Sequence, residues 1–280
     1  VNARDAAPDG LAAVSAMRKE RKNMKIRIKF AKYGSMKFIG HLDMMRYFQK
    51  AIRRAGIDIR YSEGFSPHQI MSFAAPLGVG IESLGEYLDI EAVSLTSTNQ
   101  LTDALNETMV EGVQILAARI LPDTVKNAMA SVAAASYQIH LKEGTFPIPD
   151  LQESAAAFYA QAQIPYTKET KKSIIEVDLK QGIYEMHVGE TKVLPDMMSA
   201  AAAMLLPEAE ADCITVPCIC MTVDASSSGN IKPTVVFEKF CEFTGCKIPL
   251  SNIQVTRLET YTNSAREGEK RQLVPLLLQE

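Results

Sequence analysis

The stretch 33–68 reads Y-G-S-M-K-F-I-G-H-L-D-M-M-R-Y-F-Q-K-A-I-R-R-A-G-I-D-I-R-Y-S-E-G-F-S-P-H. A basic, glycine-punctuated loop leads into a helix that opens with His41, Leu42 and Asp43. Leu42, Met45, Gln49 and Ile52 recur at helical spacing, and Phe48, Ala51 and Ala55 widen the apolar side. Gly56 is the expected C-terminal stop, because glycine takes the left-handed conformation there at little cost. Residues 57–61 predict a second strand. Glu63-Gly64-Phe65-Ser66-Pro67-His68 predicts a compact turn. Two of the chain's four histidines lie in this stretch.

Working outward, residues 25–30 alternate strictly and predict a strand with Ile26, Ile28 and Phe30 on one face. Residues 70–75 and 85–92 predict one interrupted strand or two, with Pro76-Leu77-Gly78-Val79-Gly80 at the break. A helix over 99–109, with Thr98 or Asn99 as its cap, and a strand over 113–120 complete the order β-α-β-β-α-β. After an alanine-rich link at 128–135 the alternation resumes. A strand is expected at 137–141 and a helix at 150–163. A hairpin of 172–180 with 183–188 is expected across Gln181-Gly182, then a helix over 195–206. A strand over 213–223, a helix over 233–244 between Pro233 and Gly245, and a strand over 252–261 follow. The fold class is therefore α+β, two ferredoxin-like (βαββαβ) domains in tandem. The expected division is a flexible leader over 1–23, an N-terminal domain with a basic helix over 24–127, a C-terminal domain with an inserted helix over 128–263, and a tail over 264–280. Met24 is a plausible natural start.

Hydrophobic residues make up 47% and charged residues 22% of 280 positions, which places the chain among ordinary globular proteins. No apolar run reaches the roughly 18 residues of a membrane span, and no signal peptide is seen, so no membrane partner is expected. The five cysteines are odd in number and confined to the last quarter, which suits the reducing cytoplasm. Net charge is −3, yet 24–70 carries ten Lys/Arg against three Asp/Glu. A basic module on an acidic body points to a local anionic partner.

Gly40-His41-Leu42-Asp43, Arg46, Arg53-Arg54-Ala55-Gly56, Tyr61-Ser62-Glu63-Gly64-Phe65-Ser66-Pro67-His68 and Ser72-Phe73-Ala74 resemble the signature of a bacterial family of unknown function, the radical-SAM-associated or radical-SAM-linked proteins. The resemblance spans 24–261, with departures at Ser66 and Gln69. Such proteins occur fused to a radical SAM enzyme or as a separate chain beside one. The resemblance therefore implies a radical SAM enzyme as partner. This chain has no C-x3-C-x2-C triplet to hold the enzyme's iron–sulfur cluster, so it would be the accessory or substrate-presenting part.

Candidate chemistry begins with the cations. On the helix, Arg46, Lys50 and Arg53 share one face, with Arg54 close by. Arg27 and Lys29, with Lys25, point away from the apolar face of the first strand, and Lys32 and Lys37 follow. On an open sheet face these groups would neutralise RNA phosphates. The alternative is that Tyr87, Asp89 and Glu91, the outward set of the neighbouring strand, pair with them, or that the second domain covers the face. His41 and His68, with Asp43 and Glu63, are the candidates for acid–base chemistry. Metal-independent ribonucleases of the CRISPR repeat-processing type also pair ferredoxin-like domains with a loop histidine, a fold-level analogy. The bland alternative is helix capping by His41, turn bonding by His68 and an ordinary Asp43–Arg46 pair. Cys218-Ile219-Cys220 puts two thiols on one strand face, but no C-x2-C knuckle occurs. Neither metal nor cofactor is expected. The leading expectation is a non-catalytic accessory that binds RNA or presents a substrate. The alternatives are a metal-independent endoribonuclease and a protein-docking domain.

Overall fold

The computed structural model describes residues 23–169, 174–205, 213–266 and 268–280. Nearly all of the expected leader, 1–22, lies outside the described residues, as do parts of the expected strand at 172–180 and the end of the helix expected over 195–206. The architecture is α+β, built on a nine-stranded mixed sheet with a separate two-stranded ribbon.

The first half begins with β1 (Met24–Lys32), whose Ile26, Ile28 and Phe30 are buried. They meet Met44, Phe48 and Ile52 of α1 (His41–Arg54) and Leu101 and Leu105 of α2 (Thr98–Asn106) in one core. With β2 (Met71–Phe73), β3 (Glu82–Ala92) and β4 (Val113–Leu121), the strands lie in the order β4-β1-β3-β2, and all neighbours are antiparallel. The second strand is thus Met71–Phe73 and not 57–61. Ile59 and Tyr61 make only isolated bridges, to Ala92 and Gln69. The backbone of Arg60 bonds Glu91, and the edge of β3 is taken further along by β2. The cap of α2 is Ser97, whose hydroxyl accepts from Gln100 N at 3.1 Å.

The alanine-rich link becomes a one-turn helix, α3 (Ala128–Ser131), before β5 (Ala134–Leu141). Then come α4 (Leu151–Ala160), β6 (Pro165–Glu169), β7 (Ile174–Asp178), β8 (Ile183–Val193) and α5 (Ala200–Leu205). The half ends with β9 (Ile214–Asp224), α6 (Pro233–Thr244) and β10 (Ile253–Asn263). The sheet order is β10-β5-β9-β8, again antiparallel throughout. The expected hairpin across Gln181-Gly182 does not form. Asp178 instead accepts from Ile164 N at 2.8 Å and Lys180 N at 3.0 Å, closing β7 onto β6 and freeing β8 to pair with β9. A second core gathers Tyr137, Ile139, Phe158, Ile219, Phe237 and Phe240.

The halves join edge to edge where β3 and β10 run parallel, over Glu82↔Thr256 and Ser83↔Arg257. The tail docks: β11 (Leu273–Pro275) pairs with β10, and Leu276 is wholly buried. No described helix is long and apolar enough to cross a membrane.

Candidate functional site

The loop before α1 is fixed by close backbone contacts. Tyr33 N donates to Gly112 O at 2.9 Å, and a Cβ on Gly112 (φ +91°) would fall 2.6 Å from Tyr33 O. The chain turns through Gly34 (φ +56°) and enters α1 with Gly40 as cap, without a side-chain capping bond from His41. Met44, Phe48, Ala51 and Ile52 of α1 are buried. The opposite face exposes Leu42, Arg46, Lys50 and Arg53 as one stripe. Arg46 Nη1 pairs with Asp43 Oδ1 at 3.0 Å, both side chains 68% exposed. Arg53 Nε donates to Gln49 O and Arg54 Nη2 to Thr108 O. Lys50 makes no ion pair among the described residues. Asp43 offsets one of the four helix cations, and Lys50, Arg53 and Arg54 keep the stripe net positive.

Beside this helix the turn closes on itself. Ser62 N donates to His68 O, and the Ser62 hydroxyl accepts from His68 N at 3.1 Å and meets His68 Nδ1 at 2.8 Å. Glu63 is 94% exposed and lies 3.9 Å from Arg60, which pairs more closely with Glu91 at 2.9 Å. Phe65 projects from the tip, fully exposed. Gln69 anchors the turn by donating to Gln49 O at 3.3 Å, while further along the chain Phe73 packs edge-on against His41 with ring centres 5.3 Å apart. The segment 69–73 therefore runs alongside α1 from its middle to its start. Gln49 and His41 are separated by about 12 Å of helix axis, so His41 and His68 are held at opposite ends of the run and are not brought together. The depression beside His41, lined by Phe30, Lys32, Met44, Phe73 and Glu86, holds about 20 Å³, room for a water and not for a nucleotide.

The strand-borne cations sit elsewhere. Arg27 is wholly buried. Its Nε and Nη2 bond the two Asp89 oxygens at 2.8 and 2.9 Å, and the remaining N–H groups reach Leu276 O, Gln279 Oε1 and Lys126 O. Lys29 pairs with Glu259 at 2.6 Å. Lys32 is buried and donates to Ile39 O; burial lowers its pKa despite the nearby Glu86. Lys37 bonds Gln254 Oε1 at 2.8 Å and lies 3.5 Å from Glu82. The face expected to be open is roofed by α3 with the chain before it and by 276–279, while Ser199, at the head of α5, reaches Glu82 at 2.9 Å. Asp89 takes Arg27 as its register demands, whereas Glu91 faces Arg60.

Of the eight binding candidates, then, Arg46, Lys50, Arg53 and Arg54 remain at the surface, and Arg27, Lys29, Lys32 and Lys37 are engaged inside. Exposed apolar groups beside α1, Phe38 at 61%, Leu42 at 62%, Val79 at 64% and Phe65, were not foreseen. An aromatic flanked by Gly, Ser and Pro in a turn has no core to enter, and that signal marked Phe65. Gly80 N donates to Lys37 O at 2.9 Å, which brings Val79 to the loop that carries Phe38.

No curated protein matches the chain. A crystal structure described as that of an unknown protein from Galdieria sulphuraria is 11% identical, with 84% of this chain and 98% of that one covered and a TM-score of 0.22. That likeness bears on neither fold nor function. Residues 25–233 match the family described as an uncharacterised protein conserved in bacteria (DUF2344). That match takes in β1 through the first residue of α6, including the whole α1 surface, and the chain belongs to this bacterial family of uncharacterised proteins.

Proposed function

We propose that this chain is a non-catalytic accessory to a radical SAM enzyme in the bacterial cytoplasm, and that it holds single-stranded or looped RNA for modification on the α1 surface. The observation that carries the reading is the division of the cations. Four are spent on internal partners, while Arg46, Lys50 and Arg53 stand in a row on the solvent face of α1. Phe38 on the loop before α1 and Phe65 in the turn after it are exposed, and phosphate-binding cations with stackable rings are the combination that unpaired RNA takes. The resemblance of 33–74 to radical-SAM-linked proteins supports the enzyme partner. The strand orders β4-β1-β3-β2 and β10-β5-β9-β8 support reading each half as a ferredoxin-like unit.

A protein-docking surface is the second reading, favoured by Phe38, Leu42 and Val79, which are all more than half exposed. The separation of His41 from His68 lends an endoribonuclease no support. The test is fluorescence anisotropy with tRNA and rRNA fragments at low and moderate salt, run on the wild type and on Arg46→Glu/Arg53→Glu. Three phosphate contacts predict a log–log salt slope of about −2 for a single strand, lost with the charge reversal. No binding at low salt would remove the RNA reading and leave docking to be sought by co-purification of the enzyme.

A further inference from the structure

Cys218 and Cys220 stand two residues apart on β9, with Ile219 between them pointing into the second core. Both thiols therefore face the side of the sheet away from α4 and α6. Their sulfurs lie 3.7 Å apart. On the adjacent β8, His187 is the cross-strand partner of Cys220, and Gly189 is that of Cys218. As a cross-strand partner, His187 shares the sheet face of Cys220, and its Nδ1 lies 3.4 Å from Glu185 Oε1. Cys218 is wholly buried, Cys220 partly buried, and His187 half exposed. Both sulfurs lean over Gly189, where a Cβ would sit 3.6 Å from Cys220 Sγ and 3.9 Å from Cys218 Sγ. Gly189 thus places no side chain over the thiols from the neighbouring strand.

Two thiols this close share one proton more readily than they hold none, as paired carboxylates do. Cys218, the more buried, keeps it and donates it to Cys220. That hydrogen bond, and after it the neighbouring His187, brings the Cys220 thiol down to about 7 against the cost of burial. The same bond, and burial after it, pushes Cys218 far up. The other cysteines are placed differently. Burial pushes Cys241 up to about 11, and Cys246 donates its S–H to Pro147 O at 3.0 Å.

We propose that Cys220 is a nucleophilic thiolate site that reacts with disulfides of low-molecular-weight thiols, with Cys218 and His187 as positioning residues and Glu185 orienting the imidazole. The Cys220 thiolate attacks one sulfur of R–S–S–R. The reagent's S–S bond breaks, a Cys220–S–S–R bond forms, and RS⁻ leaves and takes a proton from solvent. Cys220 is oxidised to a mixed disulfide while half of the reagent is reduced to a thiol. The reaction stops at this stage. Same-face positions on a strand put Cα atoms about 6.6 Å apart, close to the upper limit a disulfide spans, so a Cys218–Cys220 bond would be strained and the mixed disulfide is the favoured product. The adduct persists until an external thiol removes it. This site is independent of the α1 surface and of the RNA reading.

The experiment incubates the full chain with oxidised glutathione and follows adducts by intact mass and peptide mapping. One glutathione per chain is expected, on Cys220, forming about tenfold or more faster than on Cys213, Cys241 or Cys246. His187→Ala should slow it about tenfold and raise the pH of half-maximal reactivity above its wild-type value near 7. The titratable groups facing that thiol are Cys218, His187 and Glu185, and Glu190 lies by Cys218. Gly189→Val should slow the adduct by shielding the sulfurs with the circular dichroism unchanged, whereas Gly189→Ala, in ordinary contact, should not. A first adduct on another cysteine, a rate and pH profile untouched by His187→Ala, or an internal Cys218–Cys220 disulfide without adduct would each overturn the proposal.

Discussion

Arg27 makes five hydrogen bonds, one for each N–H of its guanidinium, and three separate segments of chain, at Asp89, Lys126 and 276–279, supply the acceptors. Its carboxylate partner, Asp89, is only 13% exposed and also accepts from Ala128 N at 2.7 Å. Removing one member of such a pair leaves the other buried and uncompensated. Arg27→Met should therefore cost about 3–5 kcal/mol in urea unfolding. Arg27→Lys should rescue little, because an ammonium cannot span the two carboxylate oxygens and three further acceptors. By contrast Arg46→Ala, which breaks a pair open to solvent, should stay within about 1 kcal/mol. Equal losses in the two variants would sink this account. Part of the contrast was readable beforehand. The period of two put Arg27 opposite Ile26 and Ile28, and Asp89 on its cross-strand neighbour. What roofs that face was not readable, because Lys126, Leu276 and Gln279 belong to no local period that points at β1.

Among the elements, α1 was the most legible in its bounds, since its glycine stop at Gly56 (φ +66°) and its exposed cations follow from 3.6-residue spacing, but its buried stripe is Met44, Phe48, Ala51 and Ile52, and Leu42 of the expected stripe is exposed. The helix at Pro233–Thr244 was equally plain, bounded by proline and by Gly245 at φ +69°. Strands that meet remote partners were not. Residues 57–61 alternate like a strand, yet β3's edge is filled by β2, so only bridges form. Likewise β7 carries the alternation expected of a β8 partner, but Asp178 turns it back onto β6. The resulting β6–β7 ribbon has two strands only, with Ile174 70% and Ile175 47% exposed. Two-stranded ribbons are marginal on their own. In hydrogen exchange the amides of β6 and β7 should exchange well before those of β5 and β9. Protection of the ribbon equal to that of β5 would show that something further holds it in place.

The two main cores of the molecule are separate, and the seam between them joins a small apolar cluster of Ala74, Tyr87, Ala128, Val132 and Leu276 to a set of polar contacts. Two residue pairs of parallel ladder join β3 to β10. Side chains reinforce them: Arg257 with Glu86 at 2.7 Å, Lys29 and Tyr87 with Glu259, Lys37 with Gln254, and the Thr260 hydroxyl with Gly85 O. Arg257 is held firmly protonated; burial alone would oppose its charge, but Tyr137 and Glu86 outweigh it. The backbones touch at Gly85, where a Cβ would lie 2.6 Å from Glu259 Cα. Because backbone cannot yield as a side-chain tip does, Gly85→Ala should wedge the seam at a cost of about 1–3 kcal/mol. Calorimetry should show one cooperative transition in the wild type resolving toward two in the variant. An unchanged single transition would mean that the seam is not what couples the halves. The sequence displayed two alternating patterns of similar order and placed the break between them, but nothing in either pattern reported that their sheets would merge.

The roof over Arg27 also sets a schedule. Its acceptors at Leu276 and Gln279 lie 249 and 252 residues further along the chain. During synthesis, at roughly 5–20 residues per second, β1 leaves the ribosome well before them and then waits on the order of ten seconds or more for the residues that complete it. Until then the centre of the first sheet holds a charged group without its full set of partners. The opening strand is among the last parts of the molecule to be finished.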